Sequence, residues 1–161
     1  AKGETPNGAG LVKVTFLDRA ADSAKGKSLY QAKCTVCHGK KGEGILNAEK
    51  TMWTYPPLWG DDSYNDGAGM YRLISLASYV KGNMPLGATY DMPHLTDEEA
   101  WDIAAFVNSM PRPSKDISHD WPDISRKAID HPFGPYTDGF TDRQHKYGLY
   151  YPIIDKRKEQ K

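Results

Sequence analysis

Cys34-Thr35-Val36-Cys37-His38 is the stretch of this sequence from which the rest can be interpreted. Two cysteines three positions apart, followed at once by a histidine, form the pattern through which haem is attached covalently to protein. The two thiols can add to the two vinyl groups along one edge of the porphyrin, and His38 is then held beside the iron as an axial ligand. The motif therefore predicts one covalently bound haem c on Cys34 and Cys37, with His38 on the iron.

Three other chemistries use cysteines at this spacing. A thioredoxin-like dithiol follows a strand in a βαβ unit, whereas the residues before Cys34 have a helical pattern. A zinc site needs four ligands, but the chain has 2 cysteines. The other histidines stand too far apart to form a ligand pair: His94, His119, His131 and His145. A disulfide closing so short a ring would be strained and would add little stability. Haem attachment is therefore the favoured interpretation.

A helix is predicted immediately before the motif, from Ser23 to about Lys33, with Asp22 or Ser23 as its N-cap. Gly26 and Tyr30 stand four positions apart and share one face of this helix. A glycine there permits another helix to approach closely, and the aromatic ring fills the space beside it. We expect this face to be a helix–helix contact.

Two further helices are predicted after the motif. Apolar side chains at helical spacing predict one helix over residues 70–81, ended by Gly82. Thr96 and Glu99 have the spacing of a capping box, which predicts a last helix that starts there and stops before Pro111.

The remaining segments before residue 114 are predicted to be loops or extended chain. Residues 1–10 are rich in Gly, Pro, Asn and Thr and are expected to form a mobile arm. Residues 11–17 alternate in polarity, which predicts a short strand or an extended strap lying over the body. We expect residues 1–20 to form an N-terminal unit of this kind.

Residues 52–60 are apolar and aromatic, but two prolines there remove amide donors and argue against a regular element. Such a loop is suited to cover one edge of a flat apolar cofactor, and we expect Tyr55, Pro57 and Trp59 to contact it. An alternative of equal weight is that Trp53 and Trp59 are ordinary core residues.

Three helices, the first leading into the haem motif and the last following a methionine-containing loop, resemble the plan of class I cytochromes c. The resemblance implies an all-α fold of three main helices around one haem, occupying residues 21–113. It also implies that the first and last helices cross beside the haem, so that Gly26 and Tyr30 meet the face bearing Trp101 and Phe106.

The second axial ligand is predicted from position in this plan. Met84, which precedes Pro85 between the second and third helices, stands where the fold places its methionine, and a thioether raises the reduction potential relative to a second imidazole. Met92 is the alternative, because loop lengths vary. His94 and Lys81 are less favoured. Two other methionines lie on predicted helices and are expected to be core residues: Met70 and Met110.

A more specific resemblance covers about residues 25–154. Several stretches resemble the C-terminal haem domain of dihaem thiosulfate dehydrogenases: residues 56–60, 61–70, 83–87, 95–113, 131–136 and 144–148. The resemblance implies that Met84 ligates the iron. Some members have a lysine before that methionine, implicated in ligand exchange. Asn83 stands there in this chain, so that exchange is not expected.

One departure from that family bears on function. In the dihaem enzymes, thiosulfate is oxidised at the first haem, which has a cysteine thiolate as its distal ligand. This sequence has one haem motif, and its 2 cysteines both belong to it. The resemblance therefore implies the electron-relaying half of the machinery, without the catalytic half.

Residues 114–161 are polar but rich in aromatic rings, which a disordered tail would lack. We expect an irregular strap packed across the cytochrome body and anchored by those rings. His131 and His145 are then expected to be hydrogen-bonded structural residues, and residues 156–161 to be frayed.

Length and charge limit the other possibilities. A chain of 161 residues suits one domain, and 21 basic against 21 acidic residues argue against nucleic acid or an anionic membrane as a general partner. No apolar run has the length of a membrane span. The start Ala1-Lys2-Gly3-Glu4 is typical of a chain from which a signal peptide has been removed. Because bacteria attach haem c outside the cytoplasmic membrane, we expect a periplasmic location.

These patterns predict a monohaem c-type cytochrome that passes single electrons between redox proteins through small, transient contacts, and not an enzyme. One alternative is a haem subunit that relays electrons for an oxidoreductase of sulfur compounds whose catalytic centre lies on another chain. Another is a catalytic monohaem protein with an open sixth position on the iron.

Overall fold

The computed structural model describes residues 11–160. The mobile arm predicted for residues 1–10 lies outside them. Within the described part, the helices are α1 (Ser23–Lys33), α2 (Thr35–His38), α3 (Leu73–Asn83), α4 (Asp97–Ser109), α5 (Asp142–Tyr147) and α6 (Tyr151–Glu159). The strands are β1 (Ile45–Leu46) and β2 (Trp53–Tyr55), and short 3₁₀ turns occupy Gly69–Tyr71 and Ile124–Arg126.

Helix α1 begins where its cap predicts. The Asp22 side chain accepts hydrogen bonds from the amides of Ala24 and Lys25, at 2.9 and 3.0 Å, which satisfies two otherwise unpaired donors. Gly26 and Tyr30 are buried where α1 crosses α4. The predicted helix and its contact face are both confirmed.

Helix α4 is the central element of the core. Thr96 and Glu99 form the predicted capping box, in which each side chain accepts from the other residue's amide. Every residue from Ala100 to Asn108 is buried, because α1 and α3 both pack against this helix. A helix covered on several sides needs no polar face, which explains why apolar side chains surround α4 along this stretch.

The prediction for α3 is wrong at both ends. Residues 69–71 form a separate 3₁₀ turn, so the helix begins at Leu73. Gly82 does not end the helix but is buried within it, and Met84 is the C-cap. The two additional residues, Gly82 and Asn83, bring the helix end directly to Met84.

Residues 11–22 form an extended strap over the body. Val14 is buried, and its amide donates to the Ser78 hydroxyl at 3.2 Å. Arg19 forms a bidentate ion pair with the buried Asp102 of α4, at 2.7 and 3.0 Å. Side-chain contacts therefore hold the strap, which is extended without being part of a sheet.

The prediction that residues 52–60 contain no regular element is wrong for their first part. Strand β2 pairs antiparallel with β1, with Ile45 opposite Tyr55 and Leu46 opposite Trp53. The two prolines lie just beyond the strand, at 56 and 57, where they do not interrupt its ladder.

The C-terminal extension is more regular than predicted. Residues 114–141 are mostly irregular, but α5 and α6 follow, and α6 continues to Glu159 through residues that were expected to fray. Tyr150 and Ile153 are fully buried in the core. The division of the chain at residues 20 and 113 stays a prediction.

The two histidines of the extension have the structural role expected of them. The His145 ring is fully buried, with Nδ1 2.7 Å from the Ile129 carbonyl oxygen and Nε2 3.0 Å from an Asp138 carboxylate oxygen. His131 Nδ1 lies 3.2 Å from the Phe133 carbonyl oxygen.

Candidate haem site

A cavity of about 480 Å³ opens between α1, β2, α3 and α4. Its size is within the range of about 300–1,000 Å³ that is usual for ligand pockets. The motif residues Cys34, Cys37 and His38 lie on its wall, and so does Met84. The fold therefore brings the predicted attachment motif and the predicted second ligand to one cavity. His38 and Met84 are 46 positions apart in the sequence.

The two cysteines stand at the start of α2. Cys34 is both the C-cap of α1 and the N-cap of α2, and Cys37 lies on the next turn. Neither cysteine is part of a disulfide, so both are available for attachment, and burial raises the pKa of the Cys34 thiol to about 11. Within residues 11–160, no cluster of three or more His, Cys, Asp or Glu side chains could hold a metal ion.

His38 is buried and is oriented by the proline loop, the segment that carries Pro56 and Pro57. Its Nδ1 lies 3.2 Å from the Pro56 carbonyl oxygen. A carbonyl can only accept, so Nδ1 carries the hydrogen and Nε2 keeps its lone pair for a metal. Burial lowers the pKa of His38, and the Pro56 bond opposes this only in part, so the ring is biased toward its neutral form. A metal-ligating histidine is usually a neutral imidazole whose other ring nitrogen donates a hydrogen bond that fixes the ring.

The candidates for the second ligand differ in where they lie. Met84 is partly buried on the cavity wall, whereas Met92 is 68% exposed and is not part of that wall. His94 is an exposed loop residue outside the wall, and Lys81 forms an ion pair with Asp97. Met70 packs against the core, as expected, and it also lines the cavity.

The three residues of the segment 52–60 that were expected to contact the cofactor separate into two groups. Tyr55 and Pro57 line the cavity, as expected of cofactor contacts. Trp59 is not among the lining residues, and its ring packs instead on Tyr30 and Phe106, with centroids 5.1 and 5.6 Å away. The expectation of direct cofactor contact is therefore corrected for Trp59, which is a core residue behind the wall.

Several lining residues had no signal in the sequence as cofactor contacts. Most belong to helix faces or to the loop before α3, where apolar spacing marks burial without saying what is covered: Tyr64, Leu76, Tyr79, Val80, Ile103 and Val107. Pro56 acts through its backbone carbonyl, a group that every residue has, so its residue type gives no indication of this role.

The lining residues fit a haem. Two free thiols, a neutral imidazole and a thioether are the groups that attach and ligate haem c. The charged side chains on the wall are Lys33 and Asp62, and Lys33 is already paired with Glu99 at 2.6 Å. The rest of the wall is largely apolar or aromatic, as a porphyrin face requires.

Comparison with known proteins agrees with this reading of the cavity. The sequence profile of the family described as cytochrome c matches residues 23–111, more than half of the chain. Thiosulfate dehydrogenase of Allochromatium vinosum is 48% identical over 106 residues, covering 66% of this chain and 37% of that protein. Thiosulfate dehydrogenase of Psychrobacter arcticus is 46% identical over 122 residues, covering 74% and 36% respectively.

A solved structure and a smaller relative extend the comparison. Thiosulfate dehydrogenase TsdBA from Marichromatium purpuratum superposes with a TM-score of 0.61 at 36% identity, covering 79% of this chain and 26% of the other. Cytochrome c6 of Thermosynechococcus vestitus is 32% identical over 97 residues, covering 60% of this chain and 78% of that protein. The chain thus spans between about a quarter and little more than a third of the thiosulfate dehydrogenases it matches, but most of a cytochrome c6. It carries a covalently bound haem c and belongs to the cytochrome c family.

Proposed function

We propose that this chain is a periplasmic electron carrier with one haem c, ligated by His38 and Met84. The observation that carries the proposal is the single cavity lined by Cys34, Cys37 and His38 and also by Met84. No other position in the sequence has the attachment motif. Bound haem supplies the one-electron couple of its iron.

The protein's part in electron transfer is to hold the cofactor in one geometry and to exclude water. His38 is 6% exposed and is oriented by the Pro56 carbonyl, so the ring needs little rearrangement on ligation. Ile103 and Val107 of α4 and Leu76 and Val80 of α3 give the wall an apolar surface. A rigid, dry site keeps the rearrangement that accompanies each electron small.

Partners would reach the cofactor at the cavity mouth. Leu86 lines the cavity and is nevertheless 76% exposed, and Val36, between the two anchoring cysteines, is 84% exposed. Exposed apolar side chains around a redox centre favour brief, low-specificity contacts with other redox proteins.

A redox titration of the purified protein followed by absorption tests this function. We expect one reversible one-electron transition and a low-spin spectrum that carbon monoxide leaves unchanged at low ligand concentration. Intact mass should exceed the chain mass by a single haem, which acid-acetone should not extract. Rapid binding of carbon monoxide would instead favour the catalytic alternative with an open sixth position. Recovery in the osmotic-shock fraction of the native host would support the periplasmic location.

A second function is favoured by the named relatives. Two of them are thiosulfate dehydrogenases of which this chain spans 37% and 36%, so it could serve as the electron-relaying unit of an oxidoreductase of sulfur compounds whose catalytic centre lies on another chain. Mixing the ferric protein with thiosulfate separates the two functions. A relay unit should stay oxidised alone and become reduced when a copurifying catalytic partner is added.

No helix among residues 11–160 is long and apolar enough to cross a membrane. This finding is compatible with either function.

A further inference from the structure

Arg112 does not itself line the haem cavity but packs against Tyr64, a residue of its wall. It follows α4, and its guanidinium carbon stands 4.2 Å from the ring centroid of Tyr64 and 4.9 Å from that of Tyr71. Tyr64 lines the cavity. A guanidinium stacked on an aromatic ring in this way is held in a fixed plane.

Backbone contacts fix the same side chain from a second direction. Arg112 Nη2 donates to the Val107 carbonyl oxygen at 2.8 Å, and Nη1 donates to the Tyr64 carbonyl oxygen at 3.3 Å. Both of these residues line the cavity. The amides of Gly60 and Asp66 donate to the carbonyls of the two flanking prolines, at 2.8 and 3.0 Å, which holds the loop bearing Tyr64 against this segment.

The positive charge of Arg112 has no carboxylate partner among residues 11–160. The other cations near the cavity are paired, Lys33 with Glu99 and Lys81 with Asp97. The Nε–H of Arg112 is buried and has no hydrogen-bond partner in the described part of the chain. Because Arg112 does not itself line the cavity, its charge can act on a group bound there only through space, and a partly buried charge is screened less than one in water.

A haem in this cavity is a group on which such a charge can act, because the charge of its iron changes by one on reduction and the wall carries one carboxylate, Asp62. We propose that Arg112 holds an uncompensated positive charge behind Tyr64 and thereby raises the reduction potential of a haem bound in the cavity. A nearby cation stabilises the ferrous state, which has one positive charge fewer than the ferric state. The proposal rests on the proposed binding of haem in this cavity.

Spectroelectrochemical titration of three holoprotein variants tests the proposal. At a fixed applied potential near the wild-type midpoint, Arg112→Gln should raise the ferric-to-ferrous ratio by about five- to tenfold, as expected for loss of a partly buried charge near the iron. Arg112→Lys keeps the positive charge but loses the planar guanidinium group, and it should restore most of the wild-type ratio. Arg143→Gln removes an exposed arginine of α5 and should leave the ratio unchanged.

A merely structural Arg112 predicts a different pattern. Arg112→Gln and Arg112→Lys would then lower the melting temperature by similar amounts, and both would have the same reduction potential as Arg143→Gln. That result would overturn the proposal. Loss of haem from the wild-type protein would instead contradict the proposed function, so the two failures are distinguishable.

A measurement on the wild-type holoprotein covers the case in which Arg112→Gln does not fold. The chain has six arginines, so ¹⁵N-arginine labelling gives a simple side-chain Nε–H spectrum. We expect the Arg112 resonance, assigned with Arg112→Lys, to exchange slowly with solvent and to move strongly between the ferrous and ferric states. A fast-exchanging Arg112 resonance that ignores the oxidation state would refute the placement.

Discussion

A methyl group built on Gly26 would lie 1.8 Å from the Asp102 carbonyl oxygen, so α1 and α4 meet backbone to backbone at this point. The same carbon would lie 2.9 Å from Phe106 Cβ. Neither neighbour is the far end of a flexible side chain. No larger residue can therefore occupy position 26 without separating the two helices that border the cavity.

Gly26→Ala should destabilise the protein by about 3 kcal/mol, because the helices must move apart to admit the methyl group. Gly69→Ala is the matched control, since a carbon added at Gly69 meets nothing within 4 Å. Guanidinium denaturation of both holoproteins measures the difference. Equal midpoints for the two variants would contradict the close crossing.

Met84→Ala should abolish the weak near-infrared sulfur-to-iron band of the ferric protein and lower the reduction potential, because a thioether favours ferrous iron. Met92→Ala should change neither, since the Met92 side chain is 68% exposed and lies off the cavity wall. The opposite pattern would make Met92 the ligand. Met70→Ala extends the comparison, because Met70 also lines the cavity.

Arg19→Met should destabilise the protein by about 2–3 kcal/mol, because it leaves a buried carboxylate without its bidentate partner. The Asp102 side chain is fully buried and would keep only the Asp22 amide at 2.9 Å and Lys25 at 3.6 Å. Arg143→Met, on the exposed surface of α5, is the control. In a double-mutant cycle with Asp102→Asn, the combined loss should be smaller than the sum of the single losses.

Stability should fall in acid through Asp138. Burial alone would raise the pKa of this carboxyl, but hydrogen bonds from Arg157 and His145 outweigh it and hold the pKa below its usual range. A depressed folded-state pKa gives stability that is complete above the unfolded value of about 3.9 and is lost as the pH falls through the lower folded value.

Asp138→Asn should therefore be less stable than wild type at pH 7, and the gap should narrow as the pH falls below about 4. Urea denaturation between pH 3 and 7 measures the gap, with the exposed Asp120→Asn as control. A gap that stays constant across this range would show that the carboxylate charge at position 138 does not contribute.

Local signals account for the parts of the fold that were predicted well. The Asp22 cap and the Thr96–Glu99 capping box act within one turn, so sequence alone marks where α1 and α4 start. Helix α6 lacks such a signal, since Tyr150 makes no side-chain cap bond and the helix is highly charged. Its order depends on burial of Ile153 by distant parts of the chain. Strands of two and three residues are too short to show a period.

The candidate site, like the fold, could be predicted only where its signal is local in the sequence. The attachment motif is a chemical pattern in five consecutive residues and could be identified directly. The orientation of His38 depends on a backbone carbonyl, which no residue type encodes. Trp59 was expected to face the cofactor because aromatic rings suit a porphyrin, but hydrophobicity does not distinguish one buried surface from another. Met84 as an axial ligand stays a prediction.

The strap at residues 11–22 also constrains how the protein folds. Its contacts join Val14 to Ser78, Arg19 to Asp102 and the Phe16 carbonyl to the Tyr151 hydroxyl, across 64, 83 and 135 positions of sequence. Contacts so distant in sequence form slowly, because each closes a long loop. The strap is therefore among the last segments to be fixed, because one of its contacts requires Tyr151 of α6, 135 positions further along the chain. A chain truncated before residue 151 would lack the contact between Tyr151 and Phe16, and its strap would be open to proteases.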